Sequence, residues 1–312
     1  MDPLRIGTRR SALALWQTHH VRDRLRDHYP DLPVEIVHLT TTGDRVIDRP
    51  LPQIGGKGLF TQELEDALRA GEIDLAVHSL KDLPTDMPRD FVLGAILPRA
   101  NPCDALVSRD GLTLDTLPPG ATVGTSSLRR RAQLLAARPD LTTESLRGNV
   151  DTRIRKAHDP VGPYAAIILA VAGLERLGRQ DAITQVLDAG VMLPAPGQGA
   201  VAVQCRADDE RTRALLASLD DSATRIAVTA ERAFLARLDA GCRLPVSALA
   251  TLDGAALRLT GRVSDLDGEQ AITMSGAAIP AEAADLGVRL AEEALAQGAD
   301  ALLAQVRGEL SG

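Results

Sequence analysis

Aromatic residues make up only 2% of this 312-residue chain, which has one Trp, two Tyr and three Phe. Hydrophobic residues still account for 45%, so the cores must be built from Leu, Val, Ile and Ala. The scarcity of aromatic rings also removes the stacking platforms on which proteins bind single-stranded nucleic acids. A net charge of −7 likewise argues against a general nucleic-acid binder. We expect a soluble protein of two or three domains.

Long apolar runs and paired cysteines are missing as well. The longest apolar run, residues 165–174, is too short to span a bilayer, which takes roughly 20 residues. The N-terminus has no apolar segment typical of a signal peptide. The three cysteines form no C-x-x-C pair, and the six histidines show no metal-binding spacing. We therefore expect a cytoplasmic protein with reduced thiols, no bound metal and no membrane partner.

The first 200 residues alternate short apolar runs with amphipathic stretches, which predicts an α/β fold with helices on both faces of a sheet. Strands are predicted over 4–7, 34–40, 73–77, 121–124 and 165–171, and helices over 11–28, 60–70, 127–137 and from Leu174. The stretches RIGTRRSALALW (5–16) and TVGTSSLRRRAQL (122–134) each show a strand, Gly-Thr, a polar cap and a helix. Such turns are common, but their similarity here predicts equivalent openings of two related lobes.

The pattern changes near residue 217. A helix is predicted over 222–238, then a hairpin with Asp267-Gly268 at its turn, and finally an Ala-rich C-terminal helix. The Gly/Pro-rich stretch LPAPGQGAVAVQC at 193–205 indicates a crossover back to the first lobe. The predicted domains are domain 1 over 1–97 and 198–216, domain 2 over 98–197, and a small α+β domain 3 over 217–312.

The stretch DLAVHSLKDLP at 74–84 places polar side chains directly after an apolar run. Ligands of open α/β sheets bind beyond the carboxyl ends of the strands. Asp82 could therefore act as a general acid or base, or as an anion beside a cationic intermediate. Lys81 could bind a carboxylate or keep Asp82 ionised. A solvated turn before Pro84 fits this stretch equally well.

Positive charge is concentrated between Thr125 and Lys156, a stretch that contains eight basic and three acidic side chains. All but one of the eight are arginines, and guanidinium groups bind carboxylates bidentately. Ser126 and Ser127 fall at a predicted helix N-terminus, where backbone N–H groups favour anions. The cluster indicates a small polyanionic ligand, although a solvated helix face accounts for some of these arginines.

Two loops carry further candidates. IGGKGLF at 54–60 lacks the Ser or Thr that a phosphate-binding loop needs after its Lys, so we interpret it as a mobile lid with Lys57 at its tip. Cys242 lies in DAGCRLPV, where the neighbouring Arg243 would favour the thiolate. Covalent attachment or nucleophilic attack is one interpretation of this thiol, and an inert cysteine is the other.

Nine motifs, in order, resemble the porphobilinogen deaminase family, also called hydroxymethylbilane synthases. They are GTRRSALALWQ, TTTGDR, GGKGLFTQELEDAL, DLAVHSLKDLP, GTSSLRRRAQL, RGNVDTR, ILAVAGLERLG, APGQGA and ERAFLARLDAGCRLPV. The resemblance implies a transferase that deaminates porphobilinogen and joins four units head to tail into hydroxymethylbilane, for tetrapyrrole synthesis. It also implies a covalently bound dipyrromethane cofactor, two hinged lobes resembling type II periplasmic binding proteins, and a small α+β C-terminal domain.

The resemblance further implies roles for individual residues. It assigns the cofactor thioether to Cys242 and the catalytic carboxylate to Asp82. The residues that it assigns to binding the acetate and propionate groups of cofactor and substrate are Arg9, Ser11, Lys57, Lys81, Thr125, Ser126, Ser127, Arg129, Arg130, Arg147, Arg153 and Arg176. Beyond these, we expect Arg131 to be solvated, Arg138 to matter little, Cys103 and Cys205 to be structural, and His78 to do no more than orient its neighbours. The expected partner is the small-molecule substrate, and the expected state is a monomer.

Three other functions compete with this interpretation. A two-lobe binding protein could close on a carboxylated ligand without chemistry, but it would need neither Cys242 nor Asp82. An RNA-binding enzyme using the arginines is disfavoured by the missing aromatic residues and the acidic balance. A Schiff-base enzyme built on Lys81 is disfavoured because the adjacent carboxylate favours the charged ammonium.

Overall fold

The computed structural model describes residues 2–41, 61–241 and 244–311. The predictions for Lys57, for Cys242 and for the lid at 54–60 therefore lie outside the described residues. The strands are β1 (Leu4–Thr8), β2 (Val34–His38), β3 (Leu75–Ser79), β4 (Phe91–Ile96), β5 (Asp104–Ser108), β6 (Thr122–Gly124), β7 (Thr142–Glu144), β8 (Ala166–Ala170), β9 (Gln185–Leu187), β10 (Val201–Arg206), β11 (Val246–Asp253), β12 (Ala256–Ser264) and β13 (Ala271–Ala278). The helices are α1 (Ala12–His28), α2 (Gln62–Arg69), α3 (Leu128–Ala137), α4 (Val150–Ala157), α5 (Val171–Arg176), α6 (Glu210–Leu216), α7 (Ser222–Arg237), α8 (Ala283–Ala296) and α9 (Ala299–Ser311).

The described chain forms two compact units. Of the described residues, the first unit holds those up to Ala100 together with Ala200–Arg225, and the second holds Asn101–Gly199 and those from Ile226 onwards. The division into three domains at the boundaries given above stays a prediction. None of the described helices is long and apolar enough to cross a membrane.

The first unit contains a five-stranded sheet with the order β2-β1-β3-β10-β4. Strands β1, β2 and β3 are parallel, and β10 runs antiparallel to both of its neighbours. The first three residues of β3 are apolar because helices cover both faces of the strand. Leu75 and Val77 pack with Val21 of α1, and Ala76 packs with Leu64 of α2. The predicted crossover from 193–205 is confirmed, since β10 lies inside this sheet.

The second unit contains a sheet of the same topology, with the order β7-β6-β8-β5-β9. Strands β6, β7 and β8 are parallel, and β5 runs antiparallel to β8 and β9. β1–α1 and β6–α3 thus occupy equivalent positions, and both helices begin with a serine cap. Ser11 Oγ accepts a hydrogen bond from Ala14 N at 3.3 Å, and Ser127 Oγ accepts one from Arg130 N at 3.4 Å. The predicted pair of related lobes is confirmed.

The second unit also contains the antiparallel sheet β11-β12-β13, packed against α7, α8 and α9. Phe234 of α7 is fully buried against it, and Gly261 of β12 leaves the space for the ring, since a Cβ there would lie 2.4 Å from Phe234 Cζ. The predicted hairpin turn is confirmed at Gly268, which has a φ of +74°. The single predicted C-terminal helix is wrong: Gly298, with a φ of +97°, separates α8 from α9. The α/β fold class with a small α+β C-terminal part is confirmed.

Candidate active site

The candidate site residues of the first unit follow the carboxyl ends of two adjacent strands. β1 and β3 are parallel neighbours, so their carboxyl ends meet at one edge of the sheet. β1 leads into Arg9 and the helix cap Ser11, while β3 leads into Lys81 and Asp82. The topology therefore brings these four predicted residues to one edge.

Asp82 belongs to a short 3-10 turn, Leu80–Asp82, that follows β3 directly. Leu80 and Leu83 on either side of it are buried, whereas Asp82 is exposed. Leu80 N donates to Ala200 O at 3.0 Å, and Leu83 N donates to Leu80 O at 3.1 Å. The apolar anchors and these backbone hydrogen bonds thus fix an exposed carboxylate at the end of a buried strand.

The last residue of β3 is tied to helix α1. Gln17 of α1 is buried, and its Nε2 donates to Ser79 Oγ at 2.8 Å. This hydrogen bond connects the residue three positions before Asp82 to the helix that begins at the Ser11 cap. Nothing in the sequence marks Gln17 for this role, because a glutamine within an amphipathic helix gives no sign that it is buried.

His78 is buried within the first unit and takes no part in the exposed turn. Its Nε2 lies 3.1 Å from Gln204 Oε1, and Gln204 Nε2 donates to Glu65 Oε1 at 3.3 Å. An amide oxygen only accepts, so Nε2 must be the protonated nitrogen. Burial, with a smaller effect from the charge of Arg9, lowers the pKa of His78 to about 4. His78 is therefore neutral near pH 7 and links β3, β10 and α2, in agreement with an orienting role.

The depressed pKa of His78 predicts a pH-dependent stability. Below the unfolded pKa of 6.5 the unfolded chain binds a proton that the folded chain does not, so the free energy of unfolding falls as the pH decreases toward about 4. We expect the free energy of unfolding to fall by about 2–3 kcal/mol between pH 7 and 4.5. His78→Gln should remove this step in urea unfolding, whereas His158→Gln, at an exposed position, should keep it. If the free energy of unfolding of His78→Gln still falls by the same amount between pH 7 and 4.5, other groups cause the pH dependence.

The second unit presents a matching sheet edge. β6 leads into Thr125, Ser126 and Ser127, and the neighbouring parallel strand β7 leads toward Arg147. Ser126 Oγ donates to Leu146 O at 2.7 Å and accepts from Leu146 N at 3.1 Å, which joins the two turns. Ser127 N donates to Thr125 Oγ1 at 3.2 Å. The predicted hydroxyl residues therefore form one hydrogen-bonded turn at the N-terminus of α3.

Three more predicted arginines follow β7 and β8, which end at the same sheet edge. Arg147 and Arg153 are half-buried, and Arg153 Nε donates to Gly148 O at 2.7 Å. Arg176, at the end of α5 after β8, donates from Nη2 to Gly199 O at 2.7 Å. Burial lowers the pKa of Arg176 to about 10, so its guanidinium still carries a positive charge near pH 7. The edge is thus lined with hydroxyl groups and cations, the groups that bind carboxylates.

Arg129 and Arg130 lie in the first turn of α3 and are buried. Both pair with Asp104, at 2.8 Å from Arg129 Nη2 and 2.7 Å from Arg130 Nη2. Asp104 lies outside the predicted site residues, and its only sequence signal is its position directly before the apolar run ALV of β5. These two arginines are therefore bound to a carboxylate inside the second unit.

Two arginines outside the predicted site make more contacts than expected. Arg131 is not simply solvated, because its Nη2 pairs with Asp267 Oδ1 at 2.7 Å in the β12–β13 turn. That turn lies so close to α3 that a Cβ on Gly268 would be 2.2 Å from Ala132 O. Arg138 donates to the carbonyl oxygens of Leu114 and Leu117 and pairs with Asp140. Its expected small effect on activity stays a prediction.

The site geometry defines an α/β protein with an exposed carboxylate at one sheet edge of its first unit. In its second unit, the equivalent edge carries hydroxyl groups and arginines. The first edge suits acid–base chemistry, and the second suits the binding of a polycarboxylate.

Comparison with known proteins assigns a family to this architecture. The model of the porphobilinogen deaminase dipyromethane cofactor binding domain matches residues 4–214, and that of the porphobilinogen deaminase C-terminal domain matches residues 225–296. The chain belongs to the porphobilinogen deaminase family.

Individual relatives extend over nearly the whole chain. The porphobilinogen deaminase of Roseiflexus sp. (strain RS-1) is 55% identical over 299 residues, which cover 96% of this chain and 98% of the relative. The porphobilinogen deaminase of Brevibacillus brevis is 50% identical over 310 residues, covering 99% of each. The solved structure of the methionine binding protein MetQ is similar over 69% of this chain and 89% of its own, at 14% identity and a TM-score of 0.45. This last likeness is too distant to support an argument, so the fold class rests on the sheets described above.

Proposed function

We propose that this chain deaminates porphobilinogen and joins four molecules head to tail into hydroxymethylbilane, as a transferase of tetrapyrrole biosynthesis, with Asp82 as its catalytic carboxylate. The observation that carries the assignment to Asp82 is its exposed position on a turn anchored by two buried leucines at the end of β3. Membership of the porphobilinogen deaminase family supports the reaction. It does not favour the alternative, a binding protein without chemistry.

The residues of the second unit fit the dipyrromethane cofactor of this family. Each pyrrole carries two carboxylates, and the donors at the second sheet edge are hydroxyl and guanidinium groups. Arg147 and Arg153 are half-buried rather than fully enclosed, so carboxylates can reach them. We assign the cofactor thioether to Cys242. When bound, the dipyrromethane supplies the pyrrole end from which the chain grows.

Asp82 would act on the substrate in two protonation states. As a carboxylic acid it donates a proton to the leaving amine, so that nitrogen departs as ammonia. As a carboxylate it then stabilises the electron-poor azafulvene left on the substrate. Lys81, adjacent in the same turn, would bind a substrate carboxylate or favour the charged form of Asp82. Arg9 and Ser11, at the same sheet edge, would bind carboxylates as well.

The arginines of the second sheet edge would bind the acetate and propionate groups. We expect Arg153→Leu to raise KM and to stall chain growth, because a hydrogen bond to a charged group is worth about 1.5–3 kcal/mol. Arg155→Leu is a matched control, since it removes the same charge from an exposed position on the same helix α4. Steady-state kinetics and native gels of elongation complexes would show the difference. Equal damage from both variants would mean that overall charge, rather than Arg153 itself, matters.

The cellular setting is also a proposal. A cytoplasmic location agrees with the described cysteines, since neither Cys103 nor Cys205 forms a disulfide. The substrate is a small molecule, and we propose that the protein acts as a monomer without nucleic-acid partners.

Two measurements on purified protein test the proposed function together. Intact mass spectrometry should show a covalent two-pyrrole adduct, and added porphobilinogen should be consumed with release of one ammonia per unit. Consumption without any adduct would contradict the tethered cofactor. An adduct-free protein that binds porphobilinogen without turnover would instead support the non-catalytic alternative.

A further inference from the structure

Asp104 is a buried carboxylate at the sheet edge of the second unit. It is the first residue of β5, and its register partner is Ala170, the last residue of β8. Because β5 runs antiparallel to β8, its amino end lies at the edge where β6 leads into the Thr125–Ser127 turn. Asp104 is therefore positioned by topology among the predicted carboxylate-binding residues.

The two carboxylate oxygens of Asp104 hold two arginines. Oδ1 accepts from Arg130 Nη2 at 2.7 Å and from Arg130 Nε at 3.1 Å, while Oδ2 pairs with Arg129 Nη2 at 2.8 Å. Gln198 Nε2 adds a hydrogen bond of 2.9 Å to Oδ1. The side chain of Asp104 is 0% exposed, and those of Arg129 and Arg130 are 5% and 8% exposed.

Backbone carbonyl groups complete the orientation of both arginines. Arg129 Nη1 donates to Leu193 O at 2.7 Å, and Arg130 Nη1 donates to Ile168 O at 3.0 Å. Each guanidinium is thus held at two or more of its nitrogens, which restricts long side chains that are otherwise costly to order. Two positive charges share the one carboxylate of Asp104, so the pairing neutralises only half of the arginine charge.

The two arginines and the single carboxylate leave a net positive charge, which a second anion could balance. Burial disfavours an unbalanced charge, and the pKa of Arg129 is lowered mainly by burial. A ligand carboxylate that reaches the remaining N–H groups would balance the second positive charge. Arginines fixed in advance lose little freedom when such a ligand binds, which favours affinity.

We propose that Asp104 is a positioning residue for carboxylate recognition, which fixes Arg129 and Arg130 as one preformed cationic unit that binds the pyrrole carboxylates. The inference rests on the proposed function, because it takes the pyrrole carboxylates as the ligand. Asp104 touches no reacting atom in this role. It acts through the two arginines, and its loss should weaken binding rather than abolish the chemistry at Asp82.

The test compares Asp104→Asn and Asp104→Glu with wild type, using kinetics and the rise in Tm caused by porphobilinogen. Asp104→Asn removes the charge that orders the arginines, so KM should rise about tenfold or more while kcat falls much less. The Tm shift should be lost. Asp104→Glu keeps the charge but moves it by one methylene, and it should recover part of the affinity. Asp140→Asn is the control, since it unpairs Arg138 near the surface of the same unit and should leave KM unchanged.

The outcomes separate the two proposals. Wild-type KM and Tm shift in folded Asp104→Asn would overturn the positioning role. If Asp104→Asn fails to fold, Asp104→Glu decides, because wild-type values in that variant would overturn the role equally. If wild type shows the Tm shift without turnover, the proposed function is contradicted. A loss of that shift in the Asp104 variants would still support the positioning role of Asp104. If wild type shows no turnover and no Tm shift, both proposals are overturned.

Discussion

Replacing Cys242 with serine should give a protein without the pyrrole adduct and essentially without activity. A thioether needs the thiol sulfur, and a serine hydroxyl is a far weaker nucleophile near pH 7. Without a tethered starting unit, the arginines have no anchored chain to hold. Intact mass spectrometry and porphobilinogen consumption would report the two losses independently. This is the largest effect that we expect from any single substitution.

The other two cysteines provide matched controls. Cys205 lies in the core of the first unit, and burial raises its pKa to about 11, so it is a protonated thiol near pH 7. Cys103 is half-buried and packs against an apolar cluster of the second unit. Cys103→Ser and Cys205→Ser should both keep the adduct. If the adduct persists in Cys242→Ser, or disappears in Cys205→Ser, the cofactor is attached to a residue other than Cys242.

Much of the fold could be predicted because its signals are local. The β1–α1 and β6–α3 openings each show an apolar run, Gly-Thr and a capping serine within about a dozen residues, and the structure places both in the same topological position. The rule that ligands lie beyond strand carboxyl ends then places Arg9, Asp82 and Thr125 at sheet edges.

The missed features depend on contacts between distant parts of the chain. Asp104 meets Arg130 only because β5 inserts antiparallel between β8 and β9, and strand order in a sheet is not visible in the sequence. Arg131 and Asp267 are 136 positions apart, so nothing local predicts their pairing. His78 could be placed at a strand end, but its partner Gln204 lies 126 positions further along the chain.

Asp82 gives the most direct test of the mechanism, because charge and geometry can be changed separately. Asp82→Asn keeps the shape of the side chain and removes its charge and its proton. We expect the loss of turnover to approach the roughly 10²–10⁴-fold that a general acid contributes. Asp82→Glu keeps the carboxylate and moves it by one methylene, so it should retain a measurable fraction of turnover. Both variants should stay folded, because Asp82 is exposed while Leu80 and Leu83 provide the buried anchors.

The control for Asp82 lies in the same loop. Asp86 is also exposed, and Asp86→Asn removes an equal charge four residues further along the chain, so it should leave turnover close to wild type. The pyrrole adduct should still be detectable on Asp82→Glu, which would show that a loss of turnover reflects the chemical step and not a missing cofactor. If Asp82→Asn were nearly as active as wild type, the stretch DLAVHSLKDLP would end in an ordinary solvated turn before Pro84. The catalytic carboxylate would then have to be sought elsewhere in the chain.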